Sequence, residues 1–407
     1  MPKPPIRVLH SFGSLNQGGI ETWLINILRQ RPKGLEFDFI LDTPGGVYED
    51  KARSYGCQIY YRPSTTRLRK RLQVAGLVRG SRCLRHVLEA RRYDVFHIHG
   101  EEFLGDALKE AAAAGVPVRV AHCHASQLAR GKKSLEMAIR WLRFRTLDRS
   151  RILKYATNIV ACSNVAGRFL IGSHWERDRR CRALYCGITL DDYHAALNRW
   201  TRQAYRKHRN IPEDAIVVGH VGSMGPTPVK NHSFLLKVFF ELAKRNDRYH
   251  LFLAGDGPLR GEIESRVKER GLEKRVSIPR LCDDVPALMV HGFDVLVFPS
   301  IFEGLGLVIV EALAGGLFTV CSDSIPNEMT GNFPDRVLPL PLSLAPSVWA
   351  DRVEEAVQKR ISAREGIAIV EKTPFSITSS LRSLIQTYSE GQRFPVADRN
   401  LPSAMLA

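Results

Sequence analysis

Apolar positions along this chain fall into two spacings that take turns. In the C-terminal half, short β-rich runs AIVVGHVG (215–222), HLFLAGDG (250–257), RVSIPRL (275–281), FDVLVFPS (293–300) and FTVCSD (318–323) alternate with longer stretches. Those stretches, NHSFLLKVFFELAKRN, PLRGEIESRVKERG, DVPALMVHG and GLGLVIVEALAGG, repeat apolar residues every three or four positions, as amphipathic helices do. The N-terminal half follows the same grammar: IRVLHSFG, a helix from Gly19 or Ile20, EFDFILDT, a short helix, QIYY, a long basic helix, YDVFHIHG, a helix ending at Gly115, VPVRVAHCHA and TNIVACS. Strand and helix in strict alternation predict parallel sheets covered on both faces. The expected class is therefore α/β, with two doubly wound Rossmann-like domains facing each other across an interdomain cleft. Residues 1–195 form the first domain and 196–375 the second, with the join falling from Ile188 to about Pro212. A helix over 376–391 and a loose tail over 392–407 follow.

Composition narrows the class of protein without choosing its function. Apolar residues are 44% and charged residues 25% of the 407, the balance of a globular chain with a large core. The net charge of +17 favours phosphate-rich partners, whether nucleic acid, anionic lipid or nucleotide. No run reaches about 18 uninterrupted apolar residues, and the start MPKPPIRVLHSFG has no apolar signal segment; a soluble cytoplasmic protein is expected. The eight cysteines include no Cys-x-x-Cys pair, so reduced thiols are expected and structural zinc is not.

In open parallel sheets, ligands bind at the carboxyl ends of the strands, and several loops there carry candidate chemistry. The segment from Pro299 to Glu311 holds Glu303, Gly304, Gly306, Leu307 and Val308, and runs from a strand into a helix. A helix start offers unpaired N–H groups and a positive dipole end to an anion. The carboxylates Glu303 and Glu311 suit sugar and ribose hydroxyls, although Glu303 capping the helix and Glu311 in solvent would give the same spacing. Ser223, Lys230 and Asn231 lie in another strand-to-helix loop, where a lysine can meet a phosphate as a point charge. Gly255 and Gly257 mark a turn that would shape the cleft wall. In the first half, Gly18 and Gly19 allow close backbone approach to a ligand. His97 and His99, and His122 and His124, end two strands in pairs of common facing, which suggests a polar cleft wall.

Taken in order, IRVLHSFGSLNQGGIETWLINILR, YDVFHIHG, VRVAHCHA, ALYCGI, VVGHVGSM, VKNHSFLL, FLAGDGPL, DDVPALM and PSIFEGLGLVIVEALAGG resemble the retaining glycosyltransferases of family 4 with the GT-B fold. The branch most similar assembles bacterial exopolysaccharide and capsule. The resemblance covers nearly the whole chain and implies a C-terminal helix that returns to the N-terminal domain. It further implies a nucleotide sugar, by family habit a UDP-sugar of hexose type, held mainly by the second domain. A saccharide or lipid-linked acceptor would meet the first domain.

On the matching positions, Glu311 would hold the ribose, Glu303 the donor sugar's hydroxyls, and the backbone at Gly306, Leu307 and Val308 the diphosphate or sugar. Lys230 would neutralise the leaving diphosphate. Gly18 and Gly19 would approach the donor phosphates, and His124 or His122 the anomeric carbon. No metal or other cofactor is required if Lys230 and helix ends carry the leaving charge. The family's usual arginine is replaced by Ser223, a loss of a strong fork of donors for which Arg280 is a candidate substitute, and Thr189 replaces the usual acidic residue after Gly187 and Ile188.

From Arg130 to Lys154 nine basic residues face only Glu136 and Asp148, interleaved with Leu135, Met137, Ile139, Trp141, Leu142 and Phe144. With Arg67, Arg69, Lys70 and Arg71 this reads as a peripheral element for the anionic inner membrane face. Two rival functions are a catalytically weak binding subunit, motivated by Ser223, and nucleic-acid binding, for which the chain has charge but no motif.

Overall fold

The computed structural model describes residues 4–16, 18–63, 82–100, 103–126, 135–279, 282 and 284–391. It divides into one unit of Met1–Tyr185 with Leu381–Ala407 and a second of Cys186–Ser380. In the first unit β1 (Ile6–Phe12), β2 (Leu35–Leu41), β3 (Ile59–Tyr61), β4 (Val95–His99), β5 (Val118–Cys123), β6 (Asn158–Ala161) and β7 (Cys181–Ala183) form one sheet. Its order is β3-β2-β1-β4-β5-β6-β7, and every pairing is parallel. All residues of β4 and β5 are buried, as expected for central parallel strands covered on both faces.

The second unit repeats the design with β8 (Ile216–Val221), β9 (Tyr249–Ala254), β10 (Val276–Ser277), β11 (Val295–Phe298), β12 (Phe318–Ser322) and β13 (Val337–Leu340). Their order is β10-β9-β8-β11-β12-β13. Winding turns back at β1/β4 in the first sheet and at β8/β11 in the second, and such switch points are where open α/β sheets bind ligands. The helix His232–Arg245 buries Leu235, Leu236, Val238, Phe239 and Leu242 against β8 and β9 and ends with Lys244 and Arg245, which suit the negative end of its dipole.

The division between the units falls at Tyr185/Cys186, ten residues before the expected 195. The helix Asp191–Arg199 explains the shift: it packs in the second unit, where His291 Nε2 lies 3.1 Å from the Ala196 carbonyl, and Ile188 pairs with Ser376. The last helix, Ile377–Gly391, counts with the first unit from Leu381 onward. There Asn158 Nδ2 donates to the Thr387 carbonyl and Arg182 pairs with Glu390. In the described part of the run 275–281 the strand has two residues, Val276–Ser277. All eight cysteines are free thiols. The basic cluster at 67–71 and the tail 392–407 lie outside the described residues.

Candidate active site

Three loops converge at the carboxyl end of β8. Backbone bonds join the loop after β8 to the one after β9: Gly222 N–H donates to the Ala254 carbonyl (3.0 Å), Met224 N–H to Asp256 (2.9 Å) and Leu259 N–H to Met224 (3.0 Å). On the other side, Ile301 N–H after β11 donates to the Val229 carbonyl (2.8 Å). Gly255 is required because a Cβ there would overlap the Gly222 carbonyl oxygen, a backbone atom that cannot step aside. Gly257 stands in the same relation to Met224. Gly255→Ala is therefore expected to cost about 1–3 kcal/mol through overpacking. By contrast Gly261, in the helix Arg260–Lys268 with open space at its Cβ position, should gain about 0.5–1 kcal/mol as alanine. Urea unfolding of the two variants checks the opposite signs.

Across the β8/β11 switch point Lys230 Nζ donates to Glu303 Oε1 at 2.6 Å, with the two side chains 23% and 12% exposed. The ammonium also sits 4.9 Å from the centre of the Phe298 ring, which favours a cation there. Glu303 thus gives its carboxylate to Lys230 and does not cap the following helix, Val308–Ala314, whose N-cap Leu307 makes no side-chain cap bond. That start is shaped by Gly306 at φ +88°, a left-handed conformation that suits glycine. Glu311, in the first turn, is half-buried, and burial pushes its carboxyl up to about 7 against the opposing pull of Lys230. Asn231 also adopts a left-handed conformation, φ 55°, as it opens the His232–Arg245 helix. Beneath lie two neutral histidines: burial lowers His220 to about 3 and His232 to about 4. Ser223 is exposed in this loop, and Arg280 lies outside the described residues.

The first unit contributes a different set. Gly18 is the N-cap of the helix Gly19–Arg29, and its carbonyl accepts from Thr22 N–H at 3.0 Å. The Glu21 carboxylate folds back over Gly18 and fills the place a Cβ would take, with its pKa raised by burial. The histidines depart from the expected polar wall. His97, His99 and His122 are buried together with His10, which sequence reasoning had not singled out; His124, just beyond β5, is half-buried. The cause is register: His10 sits opposite His97 on β1 and β4, and His99 opposite His122 on β4 and β5. Trp23 packs edge-on against His99 and His122, and Tyr388 of the last helix covers His97.

The structure thus brings Lys230 and Glu303 into one ion pair, a link that residues 73 apart in the chain could not announce. Signals for His10 existed in the sequence, since IRVLHSFG, YDVFHIHG and VRVAHCHA each place histidine late in a strand.

Residues 17–192 match the family described as "Glycosyltransferase Family 4", and residues 201–330 match "Glycosyl transferases group 1". The chain is 36% identical over 367 residues to "Putative glycosyltransferase EpsF" of Bacillus subtilis, covering 89% of this chain and 90% of that one. It is 24% identical to "Capsular polysaccharide biosynthesis glycosyltransferase CapH" of Staphylococcus aureus, over 94% and 98% of the two chains. Among solved structures, Anabaena HepE in complex with UDP and glucose superposes with a TM-score of 0.72 at 18% identity, over 94% of this chain and 99% of that one. Two parallel Rossmann-like sheets and a full-length relative at this identity lead to one assignment: the chain belongs to the family 4 glycosyltransferases of the GT-B fold.

Proposed function

We propose that the chain transfers a hexose-type sugar from a UDP-sugar to a saccharide or lipid-linked acceptor, with retention of anomeric configuration, in assembly of a cell-surface polysaccharide. The observation that carries the donor site is the Lys230–Glu303 pair beside Glu311 at the β8/β11 switch point. CapH, by its name, serves capsular polysaccharide, and HepE holds UDP and glucose; both support the choice of substrates.

In this reading Glu311 accepts from the ribose hydroxyls, and Glu303 from hydroxyls of the sugar. Gly306, Leu307 and Val308 offer backbone N–H groups to the diphosphate, with Gly304 beside them. The loops carrying Ser223, Asn231, Gly255 and Gly257 form the floor, and Gly18 and Gly19 offer backbone to the phosphates. The bond from the anomeric carbon to the phosphate oxygen breaks, and its electron pair stays on the diphosphate, where Lys230 meets the growing charge. The acceptor hydroxyl adds on the same face, and its proton passes to the departing phosphate oxygen. Glu303 positions the sugar and forms no covalent bond to it. His124, half-buried at its strand end, is assigned to the reacting sugars in preference to the fully buried His122. With the leaving charge met by Lys230 and backbone donors, the scheme requires no divalent ion.

Thermal shift of the purified protein against UDP, GDP, ADP and their sugars, with and without Mg²⁺, tests this. A ligand at 100 times its Kd adds about 2.7 kcal/mol of stability. The expected result is a shift with the uridine series alone, unchanged by Mg²⁺; no shift with any nucleotide at millimolar concentration sinks the reading. Ser223 motivates a second reading, a catalytically weak glycosyltransferase-like binding subunit, which failure to bind any nucleotide sugar would favour.

We also infer peripheral attachment to an anionic membrane. No helix among the described residues is long and apolar enough to cross one. The helix Leu135–Arg143 and the turn after it expose Ile139, Trp141, Leu142 (64%) and Leu147, with Arg145 stacked over Trp141. Apolar side chains beside arginine suit a headgroup boundary. Arg143 is spent inward on Asp106 and Asp148. Phosphatidylglycerol vesicles should blue-shift Trp141 fluorescence and lose binding in high salt, and Leu142→Glu should weaken binding by about tenfold, in line with removing one buried apolar side chain. Equal binding to neutral vesicles would contradict the electrostatic part.

A further inference from the structure

Two hydrogen-bonded files of side chains run through the buried histidines of the first unit. In one, the Tyr388 hydroxyl meets His97 Nδ1 (2.8 Å), and His97 Nε2 meets His122 Nδ1 (3.1 Å). In the other, His10 Nδ1 meets His99 Nε2 (2.9 Å), and His99 Nδ1 meets His124 Nε2 (3.0 Å). The second file therefore begins in the core and ends at the side chain assigned to the reacting sugars.

All five rings are neutral, because burial holds His10 and His124 near 3 and His97, His99 and His122 well below the usual histidine range. Each ring also disfavours a proton on its neighbours, since a charge on one histidine would oppose a charge on the next. A neutral imidazole carries one proton, and His99 uses both nitrogens. It must donate to one neighbour and accept from the other, so the tautomer at one end of the file dictates the tautomer at the other. The direction follows from His10 Nε2, which is buried and has no hydrogen-bond partner among the described residues. An orphaned N–H is the rarer kind of unmet buried group, which leaves Nε2 bare and puts the His10 proton on Nδ1, donated to His99. His99 then donates from Nδ1 to His124 Nε2, and the single proton of His124 lies on Nδ1.

We propose that His10 and His99 are positioning residues of the transfer reaction, holding His124 as the Nδ1–H tautomer so that it offers a donor, and not a base, to an oxygen of the reacting sugars. The inference rests on the transferase reading for its purpose but not for its geometry. His10, His97 and His99, and likewise His99, His122 and His124, each bring three ring nitrogens within 4.8 Å, as a metal site would. Neither set contains a carboxylate, and an ion there would break the N–H···N contacts and bury a dication among neutral ligands.

Nitrogen NMR of histidine-labelled protein, with His124 assigned through His124→Gln, reads the tautomer directly. The wild type should show His124 protonated at Nδ1 and bare at Nε2. His10→Phe removes the donor that orders the file, and both His124 tautomers should then be populated. Its kcat should fall about tenfold, the rate equivalent of one net hydrogen bond, with KM for the donor and the UDP thermal shift unchanged. His10→Asn, whose amide N–H lies near the place of Nδ1, should restore both tautomer and rate. A wild-type His124 bare at Nδ1, an unchanged tautomer in His10→Phe, or stoichiometric Zn²⁺ or Ni²⁺ uptake that moves these signals would each overturn the proposal. The wild-type spectrum decides the tautomer even if His10→Phe fails to fold. Should no sugar nucleotide bind at all, the transferase reading fails while the tautomer result stands.

Discussion

Glu311→Ala is expected to abolish the stabilisation that a UDP-sugar gives the wild-type protein. A carboxylate holding two ribose hydroxyls makes hydrogen bonds of about 1.5–3 kcal/mol each, so affinity should fall by roughly 10² to 10⁴. Calorimetric titration reads this directly. The carboxylate must be ionised to accept, and burial raises its pKa to about 7. Donor affinity should therefore climb as pH rises through 7 and level off above it. A UDP-sugar is the right probe, because its doubly esterified diphosphate holds constant charge over this range.

The same shift has the opposite sign for folding. A carboxyl whose pKa is higher folded than unfolded contributes least once it is forced to ionise, so its favourable share is present below the unfolded value and lost as pH rises through about 7. The loss is of order 3 kcal/mol at most, reduced by solvent at a half-buried group. Glu311→Gln should consequently raise Tm at pH 8, leave it nearly unchanged at pH 5, and still bind donor poorly. A glutamine variant no more stable than wild type at pH 8 would show that the Glu311 charge is well solvated.

Lys230→Met is expected to lower kcat by 10² to 10³, the usual cost of removing one preorganised group facing a developing negative charge. It also strands Glu303, which is 12% exposed and paired to it at 2.6 Å. The single variant should lose about 1–3 kcal/mol of stability, intermediate for a partly buried pair. Adding Glu303→Gln removes the stranded charge and should return most of that stability without returning the rate. Urea unfolding and steady-state kinetics on the three variants separate the two roles. Recovery of kcat in the double variant would mean that Lys230 serves only to neutralise Glu303.

Much of this site was legible because parallel α/β sheets place chemistry at strand ends, and strands buried on both faces, such as YHLFLA and VRVAHC, stand out as apolar runs. Glu303, Lys230, Gly18 and Gly255 fall in loops that follow strands, and Glu311 lies in the first turn of the helix that follows β11. What stayed hidden has physical causes. β13 carries Pro339, which demotes it in any periodicity count, and tolerates that proline because it is an edge strand. The helix Ala363–Glu371 opens with the Ser362–Glu365 capping box, a signal that sequence reading passed over. The Lys230–Glu303 pair and the His10–His99–His124 file depend on side-chain contacts of long sequence separation, which no local pattern encodes. The histidines looked like a cleft wall because alternation gives facing but not which face is covered; Trp23 and Tyr388 cover that one.

We propose that these loops hold a UDP-sugar and that its sugar is transferred with retention. This is tested most directly by proton NMR of the wild-type protein at high concentration with UDP-glucose, in which water replaces the acceptor and the first anomer released is read before mutarotation. α-Glucose should form first, with UDP in equal amount and without added metal. First appearance of β-glucose, or no release of UDP from a protein that binds UDP-glucose, would contradict the proposal.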